Sequence, residues 1–223
     1  MEVVIVLGGP NTKENIKALL ENRYGKAYED FHFVGVDGGA LRLLDQHLPM
    51  EVAIGDFDSV TKEQRDLIHE AAGTIVQLPS EKDDTDFEAA LLWVKEHFEG
   101  VPIHVLGSFG GRVDHAISTL WTMMRPDLAP LIPYVVFEDA TNVVNFIQPG
   151  TYTIEKMDFT KYLSFISMTP VENVTLIDVK YTLDSKSYAY PVALVSNEFT
   201  GGKMTISFTK GLILVAQTRD HWR

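Results

Sequence analysis

Apolar residues fall into two alternating rhythms over the first 125 or so positions. Short, mostly apolar runs at 3–7, 32–36, 52–54, 74–78 and 103–106 have the length and composition of buried strands. Each run ends in a polar loop rich in Gly or Asp, and a helical period follows. Ile16, Leu19 and Leu20 form one such stripe; others are Leu41, Leu44 and Leu48, then Phe87, Leu91, Val94 and Phe98. A last stripe predicts that Ile117, Leu120 and Met124 are buried, with Trp93 and Trp121 also in the core. Thr61 with Gln64, and Thr85 with Glu88, have capping-box spacing and mark two helix starts, while Gly73 marks a stop. Five strand–loop–helix units in series predict a parallel sheet in a three-layer α/β arrangement.

The rhythm changes after Pro126, Pro130 and Pro133. From Tyr134 onward the chain alternates and carries β-branched residues without a helical period. Runs at 151–154, 162–166, 174–179 and 204–208 read as strands. Lys210-Gly211 reads as a hairpin turn, and Asp184, Ser185, Pro191, Gly201 and Gly202 as loops. Two domains are expected: a parallel-sheet α/β domain over 1–133 and a small all-β sandwich over 134–223.

Composition narrows the function. The chain has no cysteine, which excludes disulfides, zinc–thiolate sites and cysteine nucleophiles and suits the reducing cytosol, so a cytoplasmic protein is expected. The first apolar run has no basic flank and reads as a strand rather than a signal peptide. No apolar run approaches the roughly 18 residues of a membrane span. Asp and Glu number 31 against 19 Lys and Arg, a formal charge of −12, which argues against nucleic acid or an anionic membrane as partner. The P-loop, the Gly-x-Gly-x-x-Gly fingerprint, the Gly-x-Ser-x-Gly elbow and the His-Glu-x-x-His helix are all missing.

The chemistry lies in where the acids fall. Asp37, Asp56, Asp58, Asp86 and Asp114 each follow a predicted strand and precede a predicted helix. In an open parallel sheet those loops meet at the carboxyl ends of the strands, where ligands bind. Any one of these acids is explained by helix capping. Asp-Phe-Asp and Asp-Asp-Thr-Asp in neighbouring loops are not. Gathered carboxylates repel one another, and a divalent cation resolves the conflict; an all-oxygen donor set points to Mg²⁺ or Mn²⁺. Gly38, Gly39, Gly110 and Gly111 let backbone N–H groups approach phosphate oxygens, and Lys82 and Arg112 stand ready to pair with them. Gly8-Gly9-Pro10 reads only as a turn into a helix, and the histidines show no metal spacing.

Four elements now stand in order: Val36-Asp37-Gly38-Gly39-Ala40, Gly55-Asp56-Phe57-Asp58-Ser59, Lys82-Asp83-Asp84-Thr85-Asp86-Phe87 and Gly110-Gly111-Arg112-Val113-Asp114-His115. With Ser196-Asn197-Glu198 as a fifth, the chain closely resembles bacterial thiamine pyrophosphokinase (thiamine diphosphokinase) over nearly its whole length. The resemblance implies a homodimer that transfers the pyrophosphoryl group of ATP to the hydroxyl of thiamine, giving thiamine diphosphate and AMP. It implies that Asp56, Asp58 and Asp86 hold Mg²⁺ and phosphate, with Asp37 close by. Lys82, Thr85, Arg112, Asp114 and His115 would be nucleotide-side residues. Ser196 and Asn197 would contact thiamine, with Tyr181, Tyr188, Phe199 and Trp222 as candidate ring partners. No residue stands out as a general base.

Two other classes compete. A metal-dependent phosphohydrolase would use Asp56 as nucleophile and Asp58 as acid, but leaves Asp86 and Asp114 unexplained. A thiamine- or nucleotide-binding sensor without catalysis would have no need of the full acid set.

Overall fold

The computed structural model describes residues 1–10 and 16–220. They divide into two compact units, Met1–Asp139 and Ala140–Arg223. In the first, strands β1 (Val3–Val6), β2 (His32–Val36), β3 (Val52–Gly55), β4 (Thr74–Gln77), β5 (Ile103–Leu106) and β6 (Val135–Glu138) alternate with helices. The helices are α1 (Ile16–Tyr24), α2 (Gly38–Asp45), α3 (Lys62–Ala71), α4 (Asp86–His97) and α5 (Val113–Trp121). The strands lie in the order β6-β5-β1-β2-β3-β4, and every neighbouring pair is parallel. The chain thus runs outward from β1 to β4 and then crosses back to β5 on the far side of β1. That reversal opens a crevice beyond the carboxyl ends of the central strands.

Burial explains the apolar runs, since β1, β3 and β5 are buried at every position. On one face Val4, Val6, Phe33 and Ala53 pack with Leu20 of α1, Leu43 of α2 and Ile68 of α3. Helix α4 packs against β2 and β3 through its buried Phe87, Leu91 and Val94. Both capping boxes form: Thr61 with Gln64 opens α3, and Thr85 with Glu88 opens α4. A polar cluster ties α1 to the sheet. Tyr24 donates to Glu138 Oε1 at 2.7 Å, Arg23 Nη1 lies 2.9 Å from Glu138 Oε2, and His104 bridges Glu138 (3.0 Å) and Glu2 (2.7 Å). Burial works to lower the His104 pKa, but the two carboxylates outweigh it and hold the imidazole above its ordinary value.

The second unit is built from two antiparallel sheets. One has the order β12 (Ala193–Asn197), β9 (Tyr162–Ser167), β14 (Ile213–Thr218), β7 (Asn142–Ile147); the other is β11 (Leu183–Tyr188), β10 (Val171–Ile177), β13 (Lys203–Phe208), β8 (Gly150–Glu155). Leu163, Phe165, Val174, Ile206 and Phe208 share its buried core. The strict alternation along β8 and β13 is the signature of strands with one buried face. Among the described residues no helix is long and apolar enough to cross a membrane.

The first compact unit extends to Asp139, because β6 adds in parallel beside β5. Three expectations are corrected. Lys210-Gly211 is not a hairpin: β13 pairs with β8 and β10, whereas β14 pairs with β7 and β9 in the other sheet. Gly211, at φ +104, lets the crossing chain pass Pro170, whose carbonyl oxygen would lie 2.5 Å from a β-carbon there. Asp184 and Ser185 belong to β11, an edge strand whose register shifts around Ser185 at φ +47. Lastly, Ile117 and Trp121 are exposed on α5, and it is Thr119 and Met123 that turn inward.

Candidate active site

A cavity of about 700 Å³ opens at the crevice, and the loops after β1 through β5 all reach its wall. Glycines bring these loops to backbone contact. A β-carbon at Gly39 would stand 1.8 Å from Val6 O, and one at Gly9 would stand 2.0 Å from Gly107 O. Hence α2 starts directly against the end of β1, and the β5 loop lies directly against the β1 loop. Gly38 lines the cavity, while Gly39 is buried behind it. Gly8, Gly9 and Pro10 also line it, which a reading as a simple turn missed.

The acids are placed by different devices. Asp37 sits at φ +46, its N–H donates to Ile54 O, and its Oδ2 accepts from Ser59 Oγ at 2.8 Å. Its Oδ1 is buried with no hydrogen-bond partner. In the β3 loop, Phe57 is wholly buried at φ +54 and its carbonyl accepts from Arg65 Nη2 at 2.8 Å. This apolar peg anchors the loop between Asp56, which stays half-buried, and Asp58, which is exposed. Asp58 N–H donates to Asp56 Oδ1, and that bond, with help from Lys82, holds the Asp56 carboxyl below its ordinary pKa.

Lys82 joins two loops. Its Nζ lies 3.0 Å from Asp86 Oδ1 and 3.4 Å from Asp56 Oδ2, and it donates to Pro79 O. Burial tends to lower the ammonium's pKa, but both carboxylates overrule this and raise it. Asp86 responds in the opposite sense: burial raises its pKa, Lys82 opposes, and the charges of Asp56 and Asp37 add to the rise. Thr85 uses its hydroxyl on the Glu88 N–H, so it caps α4 while lining the cavity. Arg125 fixes the same loop from outside, reaching Asp84 at 2.5 Å and Glu88 at 3.3 Å. In the β5 loop Arg112 and Asp114 form a two-bond pair at 2.6 and 3.2 Å, largely in solvent. The guanidinium takes the Asp114 carboxyl down to about 2.

Asp37, Gly38, Lys82, Thr85, Asp86, Arg112 and His115 therefore share one cavity wall. Asp56 joins it through Lys82, whereas Asp58 is exposed and Asp114 is turned to Arg112. Arg42 and Ser108 line the cavity too, and no motif reading had marked them. Among the described residues no three carboxylates or histidines stand close enough together to hold a metal ion. The donor set nonetheless suits a hard dication. Asp86 carries an unfavourable buried charge, Asp37 has an orphaned oxygen, and the cation between Asp56 and Asp86 is a movable ammonium.

The second unit carries Ser196 and Asn197 on β12. Ser196 is exposed at φ +61, where the register against β9 shifts. Asn197 is buried and its amide is engaged at both ends: Oδ1 accepts from Tyr181 N and Glu198 N, and Nδ2 donates to Tyr181 O. It thus pins Tyr181, whose exposed ring already has Lys180 Nζ 5.5 Å from its centroid. Tyr188 and Phe199 pack against the core, and Trp222 lies outside the described residues.

This arrangement has relatives. Residues 28–133 match the family model for the thiamin pyrophosphokinase catalytic domain, and residues 151–213 match that for the thiamin pyrophosphokinase vitamin B1 binding domain. The thiamine pyrophosphokinase of Bacillus subtilis is 32% identical over 97% of this chain and 98% of its own. A thiamin pyrophosphokinase family protein from Enterococcus faecalis, solved by crystallography, superposes with a TM-score of 0.88 at 34% identity, covering 99% of this chain and 100% of the other. The solved Bacillus subtilis enzyme gives a TM-score of 0.83 at 32% identity, with 99% and 100% covered. From its first strand to its last, the chain belongs to the thiamine pyrophosphokinase family.

Proposed function

We propose that the protein transfers the pyrophosphoryl group of ATP to the hydroxyl of thiamine, releasing AMP, with the first unit binding nucleotide and the second binding thiamine. The observation that carries this reading is the convergence of acid-, glycine- and lysine-bearing loops on one cavity in a chain of this family. Attack on the β-phosphorus needs positioning and charge neutralisation more than covalent chemistry. Backbone N–H groups beside Gly38 and Gly9 line the phosphate path, and Lys82 and Arg112 supply positive charge. Mg²⁺, when bound, would neutralise phosphate charge, and Asp56, Asp58 and Asp86 are the residues assigned to hold it, with Lys82 released toward the phosphates. Asp114 and His115 are assigned to the nucleotide side through Arg112 and the β5 loop. Mn²⁺ is an alternative occupant of the same donors. The phosphohydrolase reading is disfavoured by Asp56 itself, whose two oxygens face Asp58 N–H and Lys82.

On the thiamine side, Ser196 supplies an exposed hydroxyl and Asn197 holds Tyr181, a ring able to stack on a cation. A chain of charge −12 attracts the cationic substrate. The reading includes a cytoplasmic homodimer with the thiamine site at the subunit interface. The decisive assay is AMP release from Mg-ATP with and without thiamine: release only with thiamine is expected, and inorganic phosphate release independent of thiamine would overturn the reading. For the shared site, mixing Asp86→Asn with Asn197→Ala chains should restore part of the activity. No recovery in verified heterodimers would remove the interface from the proposal.

A further inference from the structure

Among the described residues, buried side-chain atoms that lack a hydrogen bond gather at the cavity. Asp37 Oδ1, Arg42 Nε and Ser108 Oγ all belong to wall residues. Of the other two, Asp86 Oδ1 faces Lys82 at 3.0 Å, and Arg65 belongs to the guanidinium that holds Phe57 O. Leaving a buried donor or acceptor unpaired costs free energy, and native structures do so rarely. Their concentration in one cavity indicates partners that the polypeptide does not supply. Asp37 already has a role in the reading above; Arg42 and Ser108 have none.

The chemistry of the pair selects the ligand. An arginine Nε can only donate, and a serine hydroxyl donates readily. Both stand among glycine loops whose backbone N–H groups are donors as well, so the wall asks for acceptor oxygens. It also asks for negative charge. Lys82 is already held between Asp56 and Asp86, and Arg112 is paired with Asp114. Among the described residues, Arg42 pairs only with Asp45, at 3.8 Å and largely in solvent. Its charge is therefore the least compensated of the three in the wall, and it would repel the thiazolium cation. Position agrees with this. Ser108 follows Gly107, whose carbonyl rests against Gly9, and Arg42 rises from the second turn of α2 behind Gly38. The two residues thus flank the crevice where the strand order reverses.

We propose that Ser108 Oγ and Arg42 Nε donate hydrogen bonds to oxygens of the nucleotide's polyphosphate chain. The proposal rests on the reading of this cavity as the nucleotide site. It is tested on the full chain by calorimetric titration with Mg-ATP and, separately, with thiamine, alongside melting curves of the free protein. Ser108→Ala removes an orphaned hydroxyl, so the free protein should melt at or above the wild-type temperature. Its Kd for Mg-ATP should rise about tenfold, the loss expected for one hydrogen bond to a charged group. Arg42→Gln should raise that Kd by at least as much. Arg42→Lys, which keeps the charge but not the Nε–H, should fall between Gln and wild type. Thiamine affinity should stay within about twofold of wild type in all three, the scatter of a site that lost no contact. Wild-type binding of Mg-ATP with unchanged affinity in Ser108→Ala and Arg42→Gln would overturn this inference alone. So would a lowered melting temperature in Ser108→Ala with affinity intact, because the hydroxyl would then be structural. A wild-type protein that does not bind Mg-ATP would overturn the nucleotide reading and this inference together.

Discussion

Gly38 and Gly39 are adjacent in the sequence, yet alanine should have opposite effects at the two. At Gly38 the new β-carbon would meet Gly8 Cα at 3.6 Å, an ordinary contact. The substitution lies in the first turn of α2, where it should be neutral or stabilising by up to about 1 kcal/mol, because alanine loses less chain entropy than glycine. The methyl group nevertheless enters the cavity wall and takes space from a ligand, so Mg-ATP affinity should fall several-fold. At Gly39 the β-carbon would stand 1.8 Å from Val6 O and 2.6 Å from Val6 C. A carbon–oxygen contact needs about 3.3 Å, so the start of α2 must retreat about 1.5 Å from β1. Both obstacles are backbone in a fully buried strand, so no side-chain rotation relieves the clash. Overpacking of this kind costs roughly 1–3 kcal/mol, only part of which the helix propensity of alanine returns. The expected loss of about 2 kcal/mol corresponds to a melting temperature lower by roughly 4–8 °C. Melting curves and Mg-ATP titrations on both variants read the two effects separately. Gly39→Ala melting at or above wild type, or the two variants behaving alike, would refute the packing account of this motif.

Three further outcomes follow from the site and its support. Asp86→Asn should lower turnover at least about a hundredfold while the fold survives, because the residue is placed for charge stabilisation; near-wild-type turnover removes it from the mechanism. Arg112→Ala should weaken Mg-ATP binding far more than thiamine binding and barely move the melting temperature, since its pair with Asp114 is solvent-exposed. An altered thiamine affinity alone would contradict this. His104 has a folded-state pKa held above its ordinary value by Glu138 and Glu2, while Tyr24 and Arg23 also face the pair. Its contribution is therefore complete below the unfolded pKa of about 6.5 and is lost as pH rises through the folded value. The melting temperature should fall over that window and the fall should shrink in His104→Gln; an identical slope in both proteins would exclude His104 as its source.

The strand–loop–helix series was legible because both of its signals are local. Fully buried parallel strands are nearly all apolar, and Thr61 and Thr85 announce their helices within four residues. The acid loops were legible for a related reason: Asp-Phe-Asp is costly unless a ligand or metal answers it. Long-range facts were not. That β6 joins the first sheet depends on pairing with β5, 32 residues earlier in register, and its short run Val135-Val136-Phe137 would suit a strand of either sheet. Lys210-Gly211 looks like a hairpin turn whether its flanking strands pair or part, and only the packing against Pro170 decides. The stripe on α5 has a helical period, which fixes a face but not what covers it, and so misplaced Ile117 and Trp121. Arg42 and Ser108 are ordinary residues in ordinary positions; only their missing partners mark them, and a missing partner is visible only in three dimensions.

Phe57 separates the force that shapes the site from the force that works in it. The backbone that carries Asp56 and Asp58 is anchored by an apolar ring buried between them and by the Phe57 carbonyl's bond from Arg65, so it has less to lose to dissolved ions than an exposed ion pair has. Salt screens exposed pairs such as Arg112–Asp114 over about 8 Å at physiological strength, but strongly hydrated anions reinforce apolar burial. As ionic strength rises, the β5 loop loosens while the backbone beneath the two carboxylates keeps its course. A salt-induced fall in activity then reports the β5 loop and the encounter with charged substrates together, with the rigid half of the site as its internal control.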